Sequence, residues 1–362
     1  RASAGSGADV TFEMLEGMAD PLRRTLAALG GVLVYAPIVD ADGFDAAVGY
    51  LVRRLEEATA KDHFLPASFA MSVGDARYEG EKTRHVAAMG MRHDVPTTSL
   101  RHHAPERARS ALEDAFENAR DTDWAMASAR APLLAAMQRA AYASRDDVTS
   151  IVRGRRQRGT RRDGRDPSRP GFVPYVIHES DAGVVDDALD AATSSSWPRL
   201  SARERAERLL DVAHALRGAR AELAATIVLD GAKRIVEADT EVSEAIDFAE
   251  YYARSACALD ADDRIRAHPR GVVLVASPWN FPLAIGVGGA LGALAAGNTV
   301  LLKPSPKTPL VADLFVRLAH EGGVPSDALA SLVVSDETAS RIVLDPRTRA
   351  VVLTGSTATA RA

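Results

Sequence analysis

Residues 271–302 read GVVLVASPWNFPLAIGVGGALGALAAGNTVLL and carry no charged side chain over 32 positions. By length alone such a run could cross a bilayer as one helix. Pro278, Asn280, Pro282 and Asn298 instead divide it into pieces of about 5, 15 and 5 residues, which suit a strand, a helix and a strand buried inside protein. No transmembrane span is expected, and contact with a membrane surface is left open.

Downstream the alternation continues. Strands are expected at about 271–276, 298–302, 330–334 and 349–354, separated by helices at about 283–296, 308–322 and 336–344. Four strands with three intervening helices predict an α/β fold, a Rossmann-like open parallel sheet whose ligands lie beyond the carboxyl ends of its strands. Upstream, residues 180–258 read as helices, and Ser201 followed by Glu204 forms a capping box before a long amphipathic pattern.

The first 65 residues have a second rhythm. VTFEML (10–15) and GVLVYA (31–36) read as strands, each followed by helical spacing over 20–29 and 44–58. This β-α-β-α order implies parallel strands, and two strands alone do not make a stable sheet. Between the two patterned regions, residues 66–170 form a helical and Arg-rich linker in this reading, with a helix over Pro105 to Ala143. Arg153 to Arg169 holds eight arginines in 17 residues with three glycines and a proline. A solvated connector accounts for it, and a nucleic-acid-binding or regulatory module is the alternative.

Three strand ends carry chemistry. After the first, Ser277-Pro278-Trp279-Asn280-Phe281-Pro282 presents a carboxamide in a turn stiffened by two prolines, where its NH₂ can donate to an oxyanion or merely cap the next helix. After the second comes Lys303-Pro304-Ser305-Pro306-Lys307; an ammonium there must reach solvent or a polar ligand, because burying it unpaired is costly. After the fourth, Thr354-Gly355-Ser356-Thr357 permits close backbone approach beside a helix start whose unpaired N–H groups suit a phosphate, or Ser356 is an ordinary helix cap.

In this order, SPWNFPLAI, GNTVLLKPS and VVLTGST resemble the cofactor-binding half of the aldehyde dehydrogenase superfamily, over roughly 175–362. The resemblance implies that Asn280 stabilises an oxyanion and that NAD is held by Ser277, Trp279, Lys303, Ser305, Gly355 and Ser356. One departure is Val334-Ser335-Asp336-Glu337-Thr338-Ala339-Ser340, where the family often has glycines; pyrophosphate contacts are not expected from that loop. The family's nucleophilic Cys and base Glu lie beyond the Gly-Ser-Thr motif. The single cysteine, Cys257, precedes the first motif strand and is expected to be a small buried hydrophobe.

On the N-terminal piece, Tyr50, Arg53, Arg54 and Glu57 share one helix face, which suits capture of a small carboxylate or, more plainly, a solvated Arg/Glu surface. FEMLEGM (12–18), VYAP (34–37) and YLVRRLEE (50–57) resemble the last two β/α units of the proline dehydrogenase barrel. A barrel followed by an aldehyde dehydrogenase is the order of the bifunctional proline utilization A proteins. The resemblance implies that Tyr35, Tyr50, Arg53 and Arg54 bind proline and that Glu13 and Glu57 lie near FAD in the complete protein. It assigns residues 1–65 to the barrel and 171–362 to the NAD-binding part of the dehydrogenase. The implied function is proline catabolism, with oxidation of L-glutamate γ-semialdehyde (1-pyrroline-5-carboxylate) to glutamate; a different aldehyde is the alternative. A chain opening on Arg1 and closing on Ala362 reads as an internal fragment, inactive alone as an aldehyde dehydrogenase.

The composition agrees with a globular protein: 46% hydrophobic, 26% charged, net charge −5. Mild acidity excludes a generally polyanion-binding chain, and only five of the 44 basic residues are lysines. One cysteine permits no internal disulfide, which fits the cytoplasm. No metal is expected, the substrates are small molecules, and a homo-oligomer is implied for the full-length form. Because Pro306 and Lys307 follow Lys303, no acidic residue there separates NAD from NADP.

Overall fold

The computed structural model describes residues 11–16, 19–59, 64, 67, 71–94, 109–142 and 147–361, with the side chains of Leu55, Glu57, Ala58, Tyr142 and Ala358 outside the description. The chain divides into two units, residues 1–100 and 101–362.

In the first unit, β1 (Phe12–Leu15) pairs in parallel with β2 (Val32–Tyr35), in register from Phe12 opposite Val32 to Leu15 opposite Tyr35. The connecting helix α1 (Asp20–Ala27) and the following α2 (Phe44–Thr59) complete the expected β-α-β-α order. A further helix, α3 (Ala76–Gly90), starts where the Asp75 carboxylate accepts the Tyr78 N–H at 2.7 Å. Ala47 is the one buried hydrophobic residue among the described residues of this unit.

The second unit is built on an eight-stranded sheet. Its strands are β3 (Val148–Val152), β4 (Arg155–Gln157), β5 (Thr160–Asp163), β6 (Val176–Glu179), β7 (Val272–Ala276), β8 (Thr299–Lys303), β9 (Leu329–Ser331) and β10 (Thr348–Leu353). The spatial order is β10-β7-β8-β9-β3-β6-β5, with β4 paired to β3. The first four are mutually parallel, as the βαβ pattern required.

Helices cover both faces. On one lie α6 (Ala202–Gly218), α7 (Arg220–Gly231), α8 (Ile235–Asp260), α9 (Ala284–Ala295) and α10 (Pro309–Glu321), packed on Val273, Val275, Val300 and Leu302. On the other, α5 (Ala182–Ser194) and Ile342 of α11 (Asp336–Leu344) meet Val272, Leu274, Leu301 and Ala330. Successive residues of β7 therefore serve opposite cores, which is why this strand reads as an unbroken apolar run. Among the described residues no helix is long and apolar enough to cross a membrane. The capping box forms as expected, Ser201 accepting from the Glu204 N–H while Glu204 accepts from the Ser201 N–H.

Two expectations for residues 66–170 are corrected. The Arg-rich stretch is part of the sheet: Arg153 and Gly154, with φ of 50° and 71°, make a two-residue turn that folds β4 back on β3, and β5 pairs with β6. Two of its arginines meet carboxylates from elsewhere in the chain, Arg153 that of Asp187 and Arg156 that of the buried Asp313. The expected helix over Pro105 to Ala143 begins only at Ala127 (α4, Ala127–Tyr142), while Pro105 lies outside the described residues. Before it, residues 109–126 form an extended strap along α8. Asp239, Ser243, Asp247, Glu250 and Arg254 recur at three- and four-residue spacing on one face of that helix. Asp239 accepts from the N–H and hydroxyl of Thr122, Asp247 from the Ala119 N–H, and Glu250 from Ser110, while Arg254 donates to the carbonyls of Ala111 and Asp114. Hydrogen bonds to these groups outweigh helix propensity in the strap.

Candidate cofactor and oxyanion site

Ala276 stands opposite both Lys303 and Leu353, so the loops after β7, β8 and β10 leave the sheet side by side. At about 4.8 Å between strands, their origins span about 10 Å. Chain order runs β7, β8, β9 in one direction and returns to β10 on the other side of β7, which is where an open α/β sheet forms its crevice.

In the first loop Ser277 is buried, and its N–H donates to the Lys303 carbonyl at 3.1 Å. Trp279, Asn280 and Phe281 are exposed. The loop ends at α9, whose N-cap residue Leu283 provides no capping side chain. The cap comes from α8: the Glu241 carboxylate accepts from the N–H groups of Leu283 at 2.7 Å and Ala284 at 3.1 Å. Its other oxygen accepts from Lys233 at 2.6 Å, and the Lys233 ammonium lies 3.6 Å from the centre of the Phe281 ring. A Cβ on Gly289 would fall 2.8 Å from Val275, so α9 sits on β7 at a separation only glycine permits.

The second loop is built the same way. Asp230 of α7 accepts from the N–H groups of Leu310 and Val311, at 2.9 and 3.3 Å, and from the Tyr175 hydroxyl, which burial and the Asp230 charge keep protonated. The amino ends of α9 and α10 are thus filled by buried carboxylates, so ligand contacts here fall to side chains. Lys303 is 13% exposed and meets Asp336 at 3.4 Å; Asp336, at 94% exposure, is a weak partner. Ser305 accepts from the Lys307 N–H at 3.3 Å and keeps its own proton to donate. Lys307 lies 5.2 Å from the centre of the Trp279 ring.

At the third loop, exposed Ser356 accepts from the Thr359 N–H at 3.1 Å, opening the short helix α12 (Thr357–Arg361). A Cβ on Gly355 would have 3.8 Å to its nearest neighbour, leaving that backbone open to close approach. After β9, Asp336 and Glu337 occupy the first turn of α11, where they suit the helix dipole and repel phosphate.

Cys257 stands elsewhere. It lies in the electrostatic reach of Arg203, Arg205 and Glu207, and burial pushes its thiol above the ordinary value. A Cβ on Gly297, which leads into β8, would lie 3.3 Å from Arg205, so this group marks the amino edge of the sheet. A five-residue strand, about 17 Å, separates the two edges.

In the first unit, the Tyr35 and Tyr50 rings meet edge-on with centres 6.1 Å apart, and the Arg54 guanidinium lies 5.2 Å from the centre of the Tyr50 ring. Arg53 and Glu13 are exposed, Glu13 opposite Leu33. The Glu57 side chain lies outside the described residues. Lys233, Glu241, Asp230 and Tyr175 went unnoticed in the sequence; Lys233 and Glu241 differ from any surface ion pair only in what they meet about 40 residues later.

The model of the aldehyde dehydrogenase family matches residues 156–362. The chain belongs to the aldehyde dehydrogenase family. The proline dehydrogenase model matches residues 2–67. The 1-pyrroline-5-carboxylate dehydrogenase of Staphylococcus saprophyticus is 40% identical over 208 residues, covering 53% of this chain and 40% of that protein. Proline utilization A (PutA) from Bdellovibrio bacteriovorus superposes with a TM-score of 0.74 at 29% identity, over 96% of this chain and 36% of its own. The 1-pyrroline-5-carboxylate dehydrogenase from Thermus with bound NAD superposes with a TM-score of 0.63 at 29% identity, over 66% and 49%. This member of the aldehyde dehydrogenase family spans less than half of each of these relatives.

Proposed function

We propose that the chain carries the NAD-binding and oxyanion-stabilising part of an L-glutamate γ-semialdehyde dehydrogenase, within a protein that also oxidises proline. The observation that carries this reading is the row of Asn280, Lys303 and Gly355-Ser356 loops along one edge of the sheet. The similarity to 1-pyrroline-5-carboxylate dehydrogenases and to PutA supports the substrate.

The donor set fits a dinucleotide. Lys303 is a nearly buried cation whose ion-pair partner among the described residues is weak, and Ser305 has a hydroxyl proton to give, so the two can hold ribose hydroxyls. Gly355 and Ser356 would lie against the nicotinamide and pyrophosphate, with Ser277 and Trp279 flanking them. When bound, NAD⁺ supplies the acceptor for the hydride of the substrate. The Asn280 carboxamide, exposed in its turn, would donate to the oxyanion that forms when a thiolate adds to the aldehyde carbon. That thiolate is not Cys257, which lies at the opposite edge with its thiol pKa raised.

In the proline-binding reading, Arg53 and Arg54 hold the substrate carboxylate beside Tyr35 and Tyr50. No step is assigned to FAD, which belongs to the reading through the proline dehydrogenase match. A homo-oligomeric, cytoplasmic full-length protein is part of the same reading.

Calorimetric titration of the chain with NAD⁺ tests it. The combined substitution Lys303→Ala and Ser356→Ala is expected to weaken binding at least tenfold; unchanged affinity would sink the site.

A further inference from the structure

We propose that Lys233 and Glu241 are positioning residues for Asn280. The inference rests on the oxyanion role given to Asn280 above.

Glu241 is fully buried and engages three donors: the N–H groups of Leu283 and Ala284 and the ammonium of Lys233. The Lys233 ammonium in turn lies on the Phe281 ring. The pair therefore grips the residues one, three and four places beyond Asn280. On the other side, the Ser277 N–H is bound to Lys303 of the neighbouring strand. Pro278 and Pro282 fix φ between these anchors. The turn is pinned at both ends, and the side chain at its centre is exposed.

A helix start does not require such a device. Ser or Asp at the N-cap satisfies the same amides with little desolvation, as Ser201 does for α6 and Asp181 for α5. A buried ion pair costs far more to assemble and adds little net stability. What Glu241 adds, and a local cap cannot, is a reference point outside the turn: it stands on α8, whose Ala245, Ile246 and Ala249 are packed into the core. The position of the Asn280 turn is therefore set by α8 as well as by β7. Oxyanion stabilisation depends on donors held in place before charge develops, and a shift of about 1 Å can cost about 100-fold in rate.

The test uses the complete protein, assayed with NAD⁺ and L-glutamate γ-semialdehyde, beside hydrogen exchange at the amides of Leu283 and Ala284. Lys233→Met and Glu241→Gln are expected to lower kcat at least tenfold with KM for NAD⁺ within twofold, and to speed exchange at the two amides at least tenfold. Lys233→Arg should recover most of kcat. In an Asn280→Ala background the Lys233→Met change should have no further effect on kcat. An equal loss of kcat in both backgrounds, or no loss in either, overturns the proposal. If Asn280→Ala by itself leaves kcat unchanged, the oxyanion reading falls and takes the proposal with it, a result distinct from the previous two. Should Lys233→Met fail to fold, Glu241→Gln carries the same comparison in the wild-type and Asn280→Ala backgrounds.

Discussion

Two parallel strand pairs in this chain have nearly the same backbone and opposite surroundings. β1 and β2 run in register over four residues, β7 and β8 over five. Leu33, Val34 and Tyr35 of β2 are 56%, 37% and 49% exposed, whereas Val300, Leu301 and Leu302 of β8 are at most 1% exposed. Ladder hydrogen bonds are common to both; the difference is the two layers of helix over β7 and β8. Pairing fixes direction and register, and burial of the faces supplies the stabilisation.

The largest effect that could break this contrast is in the core. Leu302→Ala should destabilise the second unit by about 2–5 kcal/mol in urea unfolding, whereas Leu33→Ala should cost the first under about 1 kcal/mol. Comparable losses would mean that the first pair is covered by more than its described residues. Next in size, Asp230→Asn leaves the amino end of α10 and the Tyr175 hydroxyl poorly partnered, an expected loss of about 1–3 kcal/mol in the same assay. No change would argue that water replaces the cap at no cost.

The smallest effect is a pH dependence. Burial would raise the Glu250 carboxyl, but Arg217, Ser110 and Arg254 together hold it below its ordinary 4.5. A depressed carboxyl contributes stability above the unfolded value and loses it as pH falls toward the folded one. The second unit should therefore lose stability more steeply below about pH 4.5 than its Glu250→Gln variant, as read by urea midpoints across acidic buffers. Identical slopes would remove Glu250 from the account.

What could be read in the sequence was what is local or periodic. β7 and β8 announced themselves because both faces are buried, and Ser201 because a capping box is complete within four residues. The Arg-rich hairpin was hidden: its turn is Arg-Gly instead of Asn-Gly, its second strand opens on two arginines, and the carboxylates that meet Arg153 and Arg156, Asp187 and Asp313, lie far along the chain. Cys257 was legible as a non-nucleophile from its place before the motif strands, and the geometry adds the reason, the wrong edge of the sheet. For the site, the residues at the strand ends could be named, but the carboxylates that hold their loops could not. Glu241 and Asp230 act on amides 42 and 80 residues away, and no spacing rule reaches that far.

The strap along α8 changes where this dehydrogenase fold can be cut. A fragment designed to begin at α4, or where the family match begins, would delete the partners that Asp239, Asp247 and Glu250 find in Thr122, Ala119 and Ser110. The longest helix of the unit would then turn a row of carboxylates toward water. A minimal expression clone, a protease-trimmed sample or a domain graft should accordingly retain the chain from Arg109 onward.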